Sequence, residues 1–213
     1  MGYSWAKFNE THLLFSRSLY YAMAQPPNDQ ELVQLCLRNE PEAFRRLLDR
    51  YKNRVFSLIY RMVQNPSDAE DLAQESFLKA FRNLRSYDPS RPFLTWLFKI
   101  THNTTIDFLR AQKPQALSIH DENNPIDLED LRDSPEKIME NSSQKKKIER
   151  LLAALPPLYR QVLLLRHQEE LEYKEIAQIL GIPEGTVKIR LFRGRDLLRK
   201  KLEGLDKVKK RKL

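Results

Sequence analysis

From Asp29 to Asn65, apolar residues fall three or four apart: Leu32, Leu35 and Cys36, then Phe44, Leu47, Leu48, Tyr51, Val55, Leu58, Ile59 and Met62. That spacing marks amphipathic helices. Asn39-Glu40-Pro41 is expected to divide the run into a short helix and a long one. A further helix is expected after Asn65-Pro66, with Ser67 as N-cap and Glu70 completing a capping box. Along it Ala69, Ala73, Phe77, Ala80, Phe81 and Leu84 fall on one side, and Asp68, Asp71 and Glu75 in a narrow arc opposite. A turn-rich loop, residues 85–92, leads into FLTWLFKITHNTTIDFLRAQ. There Phe93, Trp96, Leu97, Ile100, Thr104 and Phe108 form one stripe, and Phe98, Ile106 and Leu109 a second. This helix is either buried on two sides or keeps aromatics exposed for a purpose. Trp96 fits a core position, and it also fits a ring that stacks on an unpaired base.

The pattern then breaks. Residues 114–144 are poor in apolar residues and rich in Pro, Asn, Asp and Ser, and over 115–144 eight acidic residues face only Arg132 and Lys137. This reads as an acidic linker. Beyond it, KKKIERLLAAL is expected to be a helix stopped by Pro156-Pro157, and LYRQVLLLRHQEE another.

The strongest local motif follows, LEYKEIAQILGIPEGTVKIRLFRGRDLLR from Leu171 to Arg199. A helix-turn-helix needs a small residue where its helices cross, supplied by Ala177, and a left-handed turn residue, supplied by Gly181. Ile176, Leu180, Ile182 and Val187 are placed to pin the two helices together. The second helix is expected to start near Pro183-Glu184. Val187, Leu191, Gly194 and Leu198 share one face of it, while Lys188, Ile189, Phe192 and Arg193 lie opposite with Thr186 and Arg190 flanking. Lys and Arg can contact guanine edges or phosphates, and Ile and Phe can touch thymine methyls. A plain basic amphipathic helix would not set an Ile and a Phe between cations on its outer face.

Composition bounds the picture further. A chain of 213 residues holds one or two domains, and five glycines with 31% charged residues favour helices. The formal charge of +8 suits a polyanionic partner. One cysteine, Cys36, excludes an internal disulfide and sits in an apolar helical run, as a small core residue would. No stretch approaches 18 consecutive apolar residues, so no membrane insertion is expected. Residues 1–28, running into the breaker cluster AQPPNDQ, are expected to be a disordered extension, with Met23 an alternative start. The histidines, His12, His102, His120 and His167, are scattered without metal-ligand spacing. His102 is expected at the surface or facing DNA. No acid–base pair or activated nucleophile stands out, so neither an enzyme nor a cofactor is expected.

A helix-turn-helix alone fits many DNA-binding regulators, including one that binds an operator without polymerase. DAEDLAQESFLKAF (68–81), FLTWLFKITHNTTIDFLR (93–110), an acidic linker and LPPLYRQVLLLRHQEELEYKEIAQILGIPEGTVKIRLFRGRDLLRKKL (155–202), in that order, resemble the extracytoplasmic-function (ECF) group of bacterial sigma factors. The resemblance spans roughly residues 30–202. It implies an all-α chain of two small helical domains, sigma region 2 at 29–113 and sigma region 4 at 145–205, joined by the linker 114–144 and ended by a basic tail at 206–213. It further implies a subunit that binds core RNA polymerase, directs it to promoters and assists their melting. By that resemblance Asp68, Asp71, Gln74 and Glu75 would dock on core polymerase. Ser86, Tyr87, Asp88, Arg91, Trp96, Asn103, Asp107 and Arg110 would read and melt the −10 element, and Thr186, Lys188, Ile189, Arg190, Phe192 and Arg193 would read the −35 element. The implied partners are core RNA polymerase, promoter DNA and an anti-sigma factor, with no small-molecule substrate, in the cytoplasm. The chain departs from the family pattern at Ile189 (commonly Ser), Gly194 (commonly Ala) and Thr101-His102 (commonly Ala-Arg).

Overall fold

The computed structural model describes residues 27–112 and 144–211, with side chains in the second stretch from Ile148 to Glu203. The expected N-terminal extension up to Pro26, the acidic linker up to Ser143 and the side chains of the basic tail lie outside the described residues. Among the described residues all regular structure is helical. The helices are α1 (Asp29–Leu37), α2 (Pro41–Val63), α3 (Pro66–Arg82), α4 (Phe93–Gln112), α5 (Gln144–Ala153), α6 (Pro157–His167), α7 (Tyr173–Leu180) and α8 (Glu184–Arg211), with a 3-10 turn at Leu84–Ser86.

Local chemistry sets the helix ends. Asn28 caps α1 in a reciprocal box with Glu31, both bonds at 2.9 Å. Asn39 then takes a left-handed φ of 62°, which separates α1 from α2 as the Asn39-Glu40-Pro41 break implies. The cap of α3 differs from expectation. Asn65, not Ser67, is the N-cap, and its side chain accepts the Ser67 and Asp68 N–H groups at 2.9 and 3.3 Å. Pro66 fixes the first helical position and holds Asn65 extended, so the helix starts one residue before Ser67 can cap it. Glu70 is exposed and closes no box.

The residues form two compact units, one up to Leu47 and one from Leu48. In the first, Leu32, Val33, Cys36, Ala43 and Leu47 are buried. Burial pushes the Cys36 thiol up to about 11, so it stays protonated as an inert core residue.

The second unit is centred on α4, which packs against α3 and, across the linker, against α7. Phe93, Leu97 and Phe98 on α4 are almost fully buried. On the C-terminal side α8 packs on α5, α6 and α7 around Leu151, Leu155, Val162, Leu163, Ile176, Ile179, Val187 and Leu191.

Polar bonds join the helices from before the linker to those after it. Arg54 Nε donates to Glu169 Oε2 at 2.7 Å, and the Arg54 guanidinium lies 5.8 Å from the centre of the Phe98 ring. Arg61 donates to Gln168, whose own amide donates to Ser57 Oγ at 3.0 Å. Arg160 is buried and spreads its fork over backbone carbonyls: Nη1 donates to Met62 at 2.7 Å, and Nη2 donates to Leu155 at 2.8 Å and to Ala153. Helix ends leave their last carbonyls without an intrahelical partner. One guanidinium bonds end carbonyls of both α2, at Met62, and α5, at Ala153. Burial pulls the Arg160 side chain down to about 10 from its usual 12.5, still protonated at neutral pH.

Candidate nucleic-acid interface

The turn between α7 and α8 forms as its sequence dictates. Gly181 has φ 65°, ψ 34°, and the Ile182 N–H bonds back to the Ala177 carbonyl at 3.1 Å. A Cβ on Gly181 would meet nothing within 4 Å, so backbone conformation, not space, requires glycine here. The start of α7 is fixed by Glu175. One of its oxygens accepts the Glu172 N–H at 2.9 Å, and the other accepts the Thr95 hydroxyl of α4 at 3.3 Å.

On α8, Val187 and Leu191 are buried as expected, and Leu197 continues that face more deeply than Leu198. Gly194 has a packing reason that sequence did not reveal. A Cβ there would lie 3.1 Å from Leu163 Cδ1 and 3.3 Å from Tyr159 Cβ, so glycine lets α8 cross α6 closely.

The outer face carries Lys188, Ile189, Phe192 and Arg193, all exposed, with Phe192 at 74% and Ile189 at 52%. Thr186 and Arg190 are half-buried. Arg190 is near enough to His102 of α4 for its charge to act there, and it is less exposed than the outward four.

On α4, Asn103, Asp107 and Arg110 share an exposed face, with Asp107 and Arg110 paired at 3.5 Å. Lys99 is exposed one turn before Asn103 on that face. The four-residue spacing puts the two side chains next to each other on the helix. In the loop before α4, Asp88 Oδ1 accepts the Ser90 N–H at 2.9 Å and Asp88 pairs with Arg91 at 3.4 Å. That backbone bond holds the Asp88 carboxyl below the usual range. Ser86 donates its hydroxyl to the Asn83 carbonyl at 2.7 Å.

Tyr87 is buried. Its hydroxyl donates to the Arg91 carbonyl at 2.6 Å, and its ring packs edge-on against Phe93 with centroids 5.3 Å apart. It braces the loop from beneath, while Ser86, Asp88 and Arg91 are outside. Trp96 is half-buried, 5.5 Å from both Tyr87 and Phe93.

His102, expected at the surface or facing DNA, is half-buried and lies near Gln161, Asp107, Arg110 and Arg190, on elements from both sides of the linker. Burial first, then the positive charge of Arg110, lowers it to about 4, so it is neutral at physiological pH.

On α3, Asp71, Gln74 and Glu75 are exposed and Asp68 is half-buried. Glu75 pairs with Lys79 at 2.7 Å, and Lys79 also donates to Thr104 of α4 at 3.2 Å, which ties the acidic helix to the helix behind it. The arrangement therefore presents an acidic face on α3, a mixed polar face on α4 with its loop, and a cationic, apolar face on α8. Among the described residues, no group of three His, Cys, Asp or Glu side chains could hold a metal ion. No described helix is long and apolar enough to cross a membrane.

Two family models match the chain: Sigma-70 region 2 over residues 47–115 and Sigma-70, region 4 over residues 145–198. The ECF RNA polymerase sigma factor SigW of Bacillus subtilis is 38% identical over 174 residues, covering 79% of this chain and 93% of its own. The ECF RNA polymerase sigma-E factor of Haemophilus influenzae is 35% identical over 190 residues, covering 86% and 100%. A solved structure of the sigma factor RpoE with the anti-sigma factor NepR from Bartonella quintana shares the fold at a TM-score of 0.57 and 20% identity. It covers 75% of this chain and 96% of that one.

Proposed function

The chain belongs to the ECF family of RNA polymerase sigma factors, and from that premise we propose how its three outward faces divide the work. As an alternative sigma subunit it directs RNA polymerase to promoters and carries out no catalysis of its own. Family membership sets aside the reading as a polymerase-independent operator binder.

Asp68, Asp71, Gln74 and Glu75 on α3 are the docking face for core polymerase. The carboxylates of Asp71 and Glu75 stand in solvent, where they meet a basic partner with little desolvation cost. Lys188, Ile189, Phe192 and Arg193 on α8 enter the major groove at the −35 element. Cations there position the helix on phosphate or read guanine edges, and the two apolar side chains meet thymine methyls. Thr186 and Arg190, both half-buried, flank that face.

At the −10 element, Ser86, Asp88, Arg91, Asn103, Asp107 and Arg110 contact the opened strand, with Lys99 added for its place on the same face. Tyr87 shapes the loop. Trp96, half-buried beside Tyr87 and Phe93, meets an unstacked base. Extruding a base costs a few kcal/mol, and stacking on an aromatic ring returns about 1–3 kcal/mol. The family's work is done in the cytoplasm. A protein that binds the chain and withholds it from polymerase is its expected regulator, as the anti-sigma factor NepR is a partner of the Bartonella protein.

The observation that carries the docking assignment is the exposure of Asp71, Gln74 and Glu75 together on one helix. Changing Asp71 and Glu75 to Lys in the full chain is expected to abolish co-purification with core polymerase while leaving the helical circular dichroism unchanged. Unchanged core binding would remove α3 as the docking face.

A further inference from the structure

Within the acidic face of α3 one side chain does not fit a solvated surface. Leu78 is 54% exposed, although α3 has its own apolar side, with Ala69, Leu72, Phe77 and Ala80 buried. A single exposed leucine is ordinary on a protein surface. Its position here is not. At about 3.6 residues per turn, Asp68, Asp71, Gln74 and Glu75 span an arc of roughly 120°, and Leu78 projects near its middle, two turns beyond Asp71. Arg82, also exposed, falls on the same line.

The surroundings leave Leu78 uncovered. Its neighbours one helical turn away, Gln74, Glu75 and Arg82, are all exposed, and Lys79 beside it is held by Glu75 at 2.7 Å and Thr104 at 3.2 Å. The result is an exposed aliphatic side chain flanked one helical turn away by Gln74, Glu75 and Arg82, with Asp71 a further turn along the same line. A charged rim around an apolar centre is the anatomy of a protein–protein contact, in which the central apolar residue carries much of the affinity and the rim sets orientation and rate.

We infer that Leu78 is the apolar anchor of the α3 docking face, seated in a hydrophobic pocket on a basic surface of core RNA polymerase. The inference rests on the docking role assigned to α3. It commits to polymerase as the occupant because the chain is a polymerase subunit and the flanking carboxylates are complementary to a basic surface.

The test uses the full-length chain and purified core enzyme, with dissociation constants measured at low and high ionic strength for Leu78→Ala, Leu78→Met and Asp71→Asn. Leu78→Ala is expected to weaken binding about tenfold at both salts, because an apolar contact is not screened. Leu78→Met is expected to bind within about twofold of the parent. Asp71→Asn is expected to lose more at low salt than at high salt. Thermal midpoints should be unchanged for all three; a fall with Leu78→Ala would mean a structural role and overturn the inference. Parent-like affinity for Leu78→Ala alongside a loss for Asp71→Asn would overturn the anchor and leave the docking face standing. Parent-like affinity for all three would overturn both.

Discussion

Arg54 on α2 and Glu169, just beyond α6, meet at 2.7 Å across 115 positions of sequence, with the Glu169 side chain only 3% exposed. Removing the cation leaves a buried carboxylate without its charge partner, the costly half of such a pair. Arg54 itself is 42% exposed, and solvent screening reduces the effect. Arg54→Met is expected to destabilise the fold by about 1–2 kcal/mol, measured as a shift in the urea midpoint. Glu169→Gln keeps an acceptor for Arg54 and is expected to lose less.

Arg160 should be the more sensitive position. Its guanidinium serves the ends of both α2 and α5, and Arg160→Met would strand the Met62, Ala153 and Leu155 carbonyls at once. A loss of at least about 3 kcal/mol is expected by denaturant unfolding. Arg160→Lys should recover only part, since an ammonium cannot span carbonyls set for a planar fork.

Gly194→Ala tests two opposed effects. Alanine is favoured over glycine in a helix interior by about 1 kcal/mol. The added methyl would press on Leu163 and on the Cβ of Tyr159, which has no rotamer escape. Overpacking costs about 1–3 kcal/mol. The net expectation is a loss of about 1 kcal/mol in unfolding free energy, against the gain that propensity alone implies.

His102 gives the chain an acid limit. Its value is about 4 in the fold and 6.5 without the fold's environment. Between those values the unfolded chain binds the additional proton. The stabilisation is complete above about pH 6.5 and is lost as pH falls toward 4, up to about 3 kcal/mol. His167 is lowered in the same direction by partial burial, Arg195 and Arg166. The readout is therefore the difference between the parent and His102→Gln, whose unfolding free energy should fall less steeply from pH 6.5 to 4.5. Equal slopes would show that His102 is open to water in the fold.

The helices were legible because core contacts impose three- and four-residue spacing, which places Leu58, Phe77, Leu97 and Val187 correctly from sequence. The αL turn at Gly181 was legible because a single residue type answers a single backbone demand. What failed depended on competition or distance. Two capping patterns overlapped at 65–70, and Pro66 decided for Asn65. His102 looked like a surface residue because Gln161, which hydrogen-bonds to it, is far along the chain. Gly194 read as a weak helix residue because α6 crosses it only in three dimensions. At the candidate site, the exposed residues on α3 and α8 followed from periodicity, while Tyr87 turned inward, which no local pattern names.

Run-off transcription on fragmented genomic DNA, with core polymerase and the full-length chain added together, tests the central claim most directly. Discrete start sites downstream of a shared pair of −10 and −35 elements are expected only when both proteins are present. They should vanish when Asp71 and Glu75 are changed to Lys. Absence of discrete starts with core and chain together, alongside tight site-specific DNA binding by the chain alone, would contradict it.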